Sequence, residues 1–446
     1  MGVRFSIVRA AIAEHLRYDL GPLREVVAQA VYSSALVLTR TRRLSRQAQG
    51  FRLLMRLQTA AFSRRLDRRI TDRIRNATHR EKLGQPTGLW AAYAAAVDAA
   101  VRTLSASGLE ARRYVGTRLL VVKAARPGER GVLVVDYSSI FPLLAGLFDL
   151  HAIAERYTMV LEPSWAGTCA PEVLLFSQLS QPVFVQTIEP RDHEFLQGIE
   201  TNLRVVPLAA NWWVDPGPAP QATQSRDIDL IMVASWADMK RHWRVFKVLS
   251  RLRRQGRSLK VVLVGYAYGR TKQDIERLAE YFGIHDLVEA FERISQEEVQ
   301  GLLLRSKVHV LWSRRECANR AVIEAMIANV PSIVRDGLTF GFKYPYVNDQ
   351  TGRFVPEHEL EDAIKDMLAR RDRYSPHEWV RKNMSTHKAT AILEDHLRAA
   401  AMAAGEPWTE GLVAKTSALG SQHYLNAADR EKFLADYAFL ESAICK

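Results

Sequence analysis

Through the second half of the chain, short unbroken apolar runs alternate with longer stretches in which apolar residues recur every third or fourth position. Asp229-Leu-Ile-Met-Val-Ala234, Leu259-Lys-Val-Val-Leu-Val-Gly265, Leu287-Val-Glu-Ala-Phe291 and Val308-His-Val-Leu-Trp312 have the length and composition of buried strands. Between them, Arg241 to Arg254 carries a helical stripe at Val245, Val248, Leu249 and Leu252, and Thr271 to Tyr281 and Ala321 to Ala328 read as further helices. This alternation predicts a parallel, doubly wound sheet, whose ligands bind at the carboxyl ends of its strands. Ser235, Gly265, Arg293 and Glu316 all fall at such ends.

A second, smaller α/β unit is expected upstream. Its strands are Arg118 to Lys123, Gly131 to Asp136, Tyr157 to Leu161, Pro182 to Gln186 and Leu203 to Val206, with a helix from Phe141 to Arg156. An Ala-rich helix from about Trp90 to Ser105 precedes it, ended by Gly108. Pro216-Gly-Pro-Ala-Pro220 is a stiff linker. Downstream, a helix is expected over Leu360 to Arg370, and everything from Arg381 onward reads as helical, with a terminal helix over Ala427 to Cys445. The expected organisation is a basic helical region at 1–115, one α/β domain at 116–216, a second at 217–400, and helices at 401–446 packing back on the first domain.

The chemistry concentrates after the strand Val308 to Trp312, in Ser313-Arg-Arg-Glu316-Cys-Ala-Asn-Arg-Ala-Val-Ile-Glu324-Ala-Met and the turn Val330-Pro331-Ser-Ile-Val334. Glu316 falls in the strand-to-helix loop and Glu324 inside the helix. Backbone N–H groups near Cys317, Ala318 and Asn319, with Arg320 next, mark a helix start, which favours a phosphate. A neighbouring carboxylate can accept hydrogen bonds from sugar hydroxyls. A plain capped helix with one solvated and one paired Glu is the alternative.

These residues resemble the donor-site motif of the family 4 (group 1) retaining glycosyltransferases, which have the GT-B fold: two Rossmann-like domains facing a cleft, here with an N-terminal basic helical extension. The resemblance is sharp from Asp229 to Pro356, faint from Arg118 to Asn211 and absent before that. It implies that Glu316 contacts the donor sugar and Glu324 the ribose. Lys240-Arg241-His242 matches the diphosphate contact of the family, with Lys240 as the first choice and Arg241 behind it. Ser235 stands where a second basic residue is usual, and Cys317 where the family commonly has Gly. The aromatic-rich Phe342 to Pro356 segment is expected to shape the cleft. On the acceptor side, Glu162, Ser164 and Trp165 are candidates, and His193 is the candidate for a family His that touches the donor sugar.

The resemblance further implies a metal-independent hexosyltransferase that retains anomeric configuration by front-face attack. Its donor is a nucleoside-diphosphate sugar, its acceptor a glycan or lipid-linked molecule of bacterial surface polysaccharide or glycolipid synthesis, and no cofactor is expected. Asp227-Ile-Asp229 has the form of a metal motif but precedes its strand and reads as linker. A nucleotide-sugar epimerase of the same fold and a non-catalytic scaffold are the alternatives.

Composition narrows the setting. With 48% hydrophobic and 25% charged residues in 446, the chain is an ordinary globular sequence with room for more than one core. Cys169, Cys317 and Cys445 have no metal or disulfide spacing, and no apolar run reaches the length of a membrane span. The expected location is therefore cytoplasmic, without export, and peripheral on the inner membrane face. The net charge of +13 is concentrated in an arginine-rich segment, Arg40 to Arg80, with Leu53, Leu54, Leu57, Phe62, Leu66 and Ile70 interleaved at helical spacing. An anionic membrane surface is its expected partner, a solvated helix face the alternative, and nucleic acid is not expected.

Overall fold

The computed structural model describes residues 3–15, 21–60, 63–108, 110–164, 167–220, 225–338, 343–418 and 421–445. Two compact units divide the chain: Gly21–Asp215 with Thr386–Lys446, and Pro216–Ser385 with Met1–Leu20.

The first unit is built on a five-stranded sheet of Leu119–Lys123 (β1), Gly131–Asp136 (β2), Tyr157–Glu162 (β3), Val183–Gln186 (β4) and Leu203–Val206 (β5), in that spatial order. β2 to β5 are parallel and β1 runs antiparallel to β2. Every residue of β1, β2 and β4 is buried, as their near-continuous Val and Leu content requires. Helices Leu44–Thr59, Arg64–Lys82 and Leu89–Ala106 share this core: Leu54, Leu66, Ile70, Ile74 and Leu89 are all fully buried with it. The arginine-rich segment is thus part of the domain rather than an accessory layer. Its apolar stripe at i, i+4 and i+8 faces the shared core, while Arg52, Arg56, Arg64, Arg65, Arg68 and Arg69 stay exposed.

Phe141 to Arg156 is two short helices, Phe141–Leu147 and Leu150–Arg156. Phe148 is extended, and the Asp149 carboxylate accepts from Ala152 N at 3.0 Å, capping a new helix start.

The second unit carries Ile228–Val233 (β6), Val261–Gly265 (β7), Val288–Glu292 (β8), Ser306–Leu311 (β9), Ser332–Arg335 (β10) and Gly352–Val355 (β11). Their order is β11-β10-β9-β6-β7-β8, all parallel. The strand order reverses between β6 and β9, so the crevice outside their carboxyl ends is the topological switch point. A helix over Gln296–Leu304, absent from the sequence reading, links β8 to β9, and a Ser295/Glu298 capping box marks its start. The first helix, Val3–Glu14, belongs here: Val3, Ile7 and Ala11 pack against the core of this unit. Tyr344 and Tyr346 stack at 5.0 Å and are buried at 1% and 0% exposure, so neither ring presents a surface to solvent; Phe342 lies outside the described residues.

After helices Pro376–Asn383 and Thr386–Ala403, the chain departs from the expected all-helical tail. Lys415–Ala418 (β12) and Ser421–Tyr424 (β13) form an antiparallel hairpin on the five-stranded unit. Gln422 is fully buried and its Nε2 donates to the carbonyls of Arg118 (3.0 Å) and Val134 (2.9 Å). The final segment is a 3-10 turn over Ala427–Phe433 and a helix over Leu434–Ser442, tied to β3 where Tyr157 OH donates to Asp436 at 2.6 Å.

Candidate functional site

The loop after β6 and the loop after β9 meet at the switch point of the six-stranded sheet. Arg314 N donates to Met239 O at 2.8 Å and stitches them together. Across that seam the Lys240 ammonium donates to Glu316 Oε1 in an ion pair whose side chains are 13% and 5% exposed. Ser235 is buried in the same loop without a charge to contribute. Beneath it, a Cβ on Gly265 would stand 2.2 Å from Ala234 O and 2.9 Å from the Trp236 ring, so only glycine fits the end of β7. Trp236 in turn donates from Nε1 to Glu292 at 3.2 Å and packs edge-on against His242. Burial, reinforced by Lys240 and Arg270, pushes the His242 imidazole down to about 3, so it is neutral. Arg293 holds a left-handed backbone (φ 54°), donates its N–H to Gly265 O at 2.9 Å, and leaves its side chain exposed.

The helix Arg320–Ile327 opens from this loop. Asn319 caps it, its Oδ1 accepting from Val322 N at 3.0 Å. Cys317 is buried and in no disulfide, and Ala318 is half-buried beside it. Glu324, 6% exposed, faces back along the helix, where its Oε1 accepts from Arg320 Nε at 2.8 Å and from Gln296 Nε2 at 3.0 Å. Burial pushes its carboxyl up, and Arg320 and Gln296 hold back only part of that rise. Gln296 is the site residue that motif reasoning missed. The Ser295-x-x-Glu298 signature would have placed it in the first turn of a helix after β8.

Arg241 is not positioned as a second diphosphate contact. Its backbone is left-handed (φ 61°, ψ 37°) and its side chain, 2% exposed, is committed to two carboxylates. Nη2 lies 3.0 Å from Glu14 and 2.6 Å from Glu357. Burial works to raise the Glu357 carboxyl, but the hydrogen bond and charge of Arg241, with Arg244 and Arg335, hold it below its ordinary value.

The remaining candidates belong to the five-stranded unit. Glu162, expected on an acceptor-facing loop, is fully buried at the end of β3. Its Oε2 pairs with Lys415 at 2.9 Å and its Oε1 accepts from Ser417 Oγ at 3.4 Å, so the C-terminal hairpin takes the carboxylate the sequence offers to a ligand. Asp136, beside it at the end of β2, is pushed up to about 7 by burial and by the Glu162 charge, against the pull of Arg118 and Lys415. His193 is half-buried and its Nε2 lies 2.6 Å from Thr187 O. Ser164 N donates to Ser138 Oγ at 3.4 Å, and Trp165 lies outside the described residues. Glu189, just before His193, is buried and raised to about 8 by that burial and by Asp192.

Asp227 and Asp229 sit at the amino end of β6, away from the seam. Asp227 pairs with Lys260 and Arg305 at 2.6 Å, and Asp229 with Lys307 at 2.6 Å. Among the described residues, no group of three or more His, Cys, Asp and Glu is placed to hold a metal ion, and no helix is long and apolar enough to cross a membrane.

An all-parallel sheet with helices between its strands makes the second unit Rossmann-like. The family model of the glycosyl transferases group 1 matches residues 218–383, within this unit. Similar solved structures include TarM from S. aureus, at 16% identity and TM-score 0.45 over 59% of this chain and 54% of that one. Others are sucrose-phosphate synthase from Thermosynechococcus elongatus (16%, 0.43, 56% and 69%) and WaaG, a glycosyltransferase involved in lipopolysaccharide biosynthesis (14%, 0.38, 50% and 72%). The chain spans about half the length of the TarM chains it matches. No curated protein matches it.

Proposed function

We propose that this chain is a retaining, metal-independent glycosyltransferase. It moves a sugar from a nucleoside-diphosphate sugar to a glycan or lipid-linked acceptor of bacterial surface polysaccharide or glycolipid synthesis. The observation that carries this reading is the Lys240–Glu316 pair across the switch point of a domain matched to the group 1 glycosyl transferases.

The chemistry follows from the charges. The donor diphosphate takes Lys240 as its counterion and draws it away from Glu316, whose carboxylate then accepts from hydroxyls of the donor sugar. Glu324 accepts from the ribose hydroxyls. The bond from the anomeric carbon to the diphosphate breaks, and the negative charge that collects on the leaving oxygens is stabilised by Lys240 and the amino end of helix Arg320–Ile327. The acceptor hydroxyl bonds to the same face of that carbon, and its proton passes to the departing phosphate, so no carboxylate nucleophile is assigned. Ser164 is proposed for the acceptor side, and His193, as the family resemblance implies, for a contact with the donor sugar. The exposed arginines of helices Leu44–Thr59 and Arg64–Lys82 are proposed to meet an anionic membrane surface on its cytoplasmic face.

Calorimetric titration with UDP, GDP and their sugar conjugates, repeated on Glu324→Ala, tests the reading. One nucleotide that binds the wild type and is lost in the variant supports it. A folded protein that binds none overturns it in favour of a scaffold, and product identity separates transfer from epimerisation.

A further inference from the structure

We infer that Glu14, at the end of the first helix of the chain, is a positioning residue for the donor site: by pairing with Arg241 it holds the loop that carries Lys240. The inference rests on the donor-site reading above.

Arg241 is the residue between Lys240 and helix His242–Arg254, and it occupies the left-handed region at φ 61°. A side-chain-bearing residue stays there only when its surroundings over-determine it. Two carboxylates do so. Arg241 Nε donates to Glu14 Oε2 at 3.1 Å, Nη2 lies 3.0 Å from Glu14 Oε1, and Nη2 donates to Glu357 Oε2 at 2.6 Å. Glu357 is shared: Arg244 lies 2.7 Å from it and Arg335 3.9 Å. Burial, with Arg241 and Arg314 nearby, pushes the Arg335 guanidinium down to about 10. Three guanidiniums therefore stand around Glu14 and Glu357, and cations already outnumber anions. Neutralising Glu14 leaves Arg241 to compete with Arg244 and Arg335 for Glu357 alone, and breaking one partner of a buried pair is strongly unfavourable. The response open to Arg241 is to move toward water, and Lys240 moves with it. The two share one turn, in which Lys240 N donates to Ala237 O at 2.9 Å and Arg241 N to Asp238 O at 3.0 Å.

The contact is reciprocal. Helix Val3–Glu14 is anchored by Val3, Ile7 and Ala11, which are only partly buried, and it exposes Phe5, Val8 and Ile12 at 50%, 47% and 53%. Ala10 is the helix's buried residue, and the Glu14–Arg241 pair adds a charged contact to this apolar packing. Nucleotide binding and docking of this helix are then linked, each favouring the other.

The test uses the full chain with Glu14→Gln, Lys240→Met and the double variant, titrated with whichever of UDP or GDP the wild type binds. Amide exchange of residues 238–242 is followed without nucleotide. Glu14→Gln is expected to weaken binding about tenfold, or about 1.4 kcal/mol. It is also expected to speed exchange in the loop, and to cause no further loss when Lys240 is already Met. Equal binding by Glu14→Gln and wild type overturns the inference and leaves the donor site standing. A loss of the same size in both backgrounds, with a lowered unfolding midpoint, also overturns it, since that is general destabilisation. A folded wild type that binds neither nucleotide overturns the donor reading and this inference together.

Discussion

Lys240 and Glu316, 76 residues apart in sequence, form an ion pair over the point where the strand order of the six-stranded sheet reverses. In the proposed reaction each is the partner that the other releases when a donor binds. The Lys240 charge is neutralised here by a carboxylate where the proposed reaction needs it on a diphosphate.

Opposite effects are therefore expected from the two partners. Lys240→Met removes the counterion and raises the Kd for the nucleoside diphosphate about tenfold or more. Glu316→Gln frees the ammonium, so it binds the diphosphate as tightly as wild type or tighter. Transfer nonetheless falls by about 10²-fold or more, as expected for losing a charged group that acts on the reacting sugar. Calorimetry and product formation read the two separately. Weakened diphosphate binding by Glu316→Gln would count against the arrangement.

Glu324 offers a test of the ribose contact. If its carboxylate accepts from a ribose hydroxyl, a 2′- or 3′-deoxy diphosphate binds the wild type about tenfold more weakly, the size expected for a lost hydrogen bond to a charged group. In Glu324→Gln the gap between ribose and deoxyribose forms narrows. A gap that stays full in the variant assigns the ribose elsewhere.

Asp136 predicts a pH dependence of stability. The folded state raises its carboxyl to about 7, from the ordinary value near 4. Between those values the folded chain holds more protons than the unfolded one, so stability falls as pH rises. The favourable contribution is full below pH ~4 and gone above pH ~7, with an upper limit on the order of 4 kcal/mol. Asp136→Asn should flatten the dependence of the urea midpoint between pH 5 and 8. Glu189, raised in the same sense to about 8, leaves a residual slope.

The buried pair of Lys415 and Glu162 is expected to matter for folding alone. Lys415, 1% exposed, lies 2.9 Å from Glu162 and 4.2 Å above the Trp213 ring. Lys415→Met strands a buried carboxylate and should cost about 3–5 kcal/mol in chemical unfolding. Adding Glu162→Gln should recover much of that loss, while nucleotide affinity stays at the wild-type value in both.

Much of the second unit was legible in the sequence because its signals are local. Runs such as Val261–Gly265 are buried on both faces and read as strands without a partner in view. The Glu316 to Glu324 spacing spans a loop and one helix, so the place of Glu316 in the loop after β9 and of Glu324 in the helix that follows could be read from it. The hairpin at 415–424 escaped because its residues are polar: Lys415, Ser417 and Gln422 are buried against Arg118 and partners in β2 and β3, hundreds of residues earlier. The break at Phe148 rests on one cap, Asp149, inside a stretch whose apolar periodicity reads straight through.

The sequence by itself determined most strands and helices of the second unit, the parallel class of their sheet, and the placing of Glu316 in the loop after β9 and of Glu324 in the helix beyond it, since these depend on patterns a few residues long. Only the tertiary structure decided what each charge does. It pairs Lys240 with Glu316, withdraws Arg241 to Glu14 and Glu357, and gives Glu162 to Lys415. Coulomb energy and desolvation depend on distance and burial, and neither is set by position along the chain.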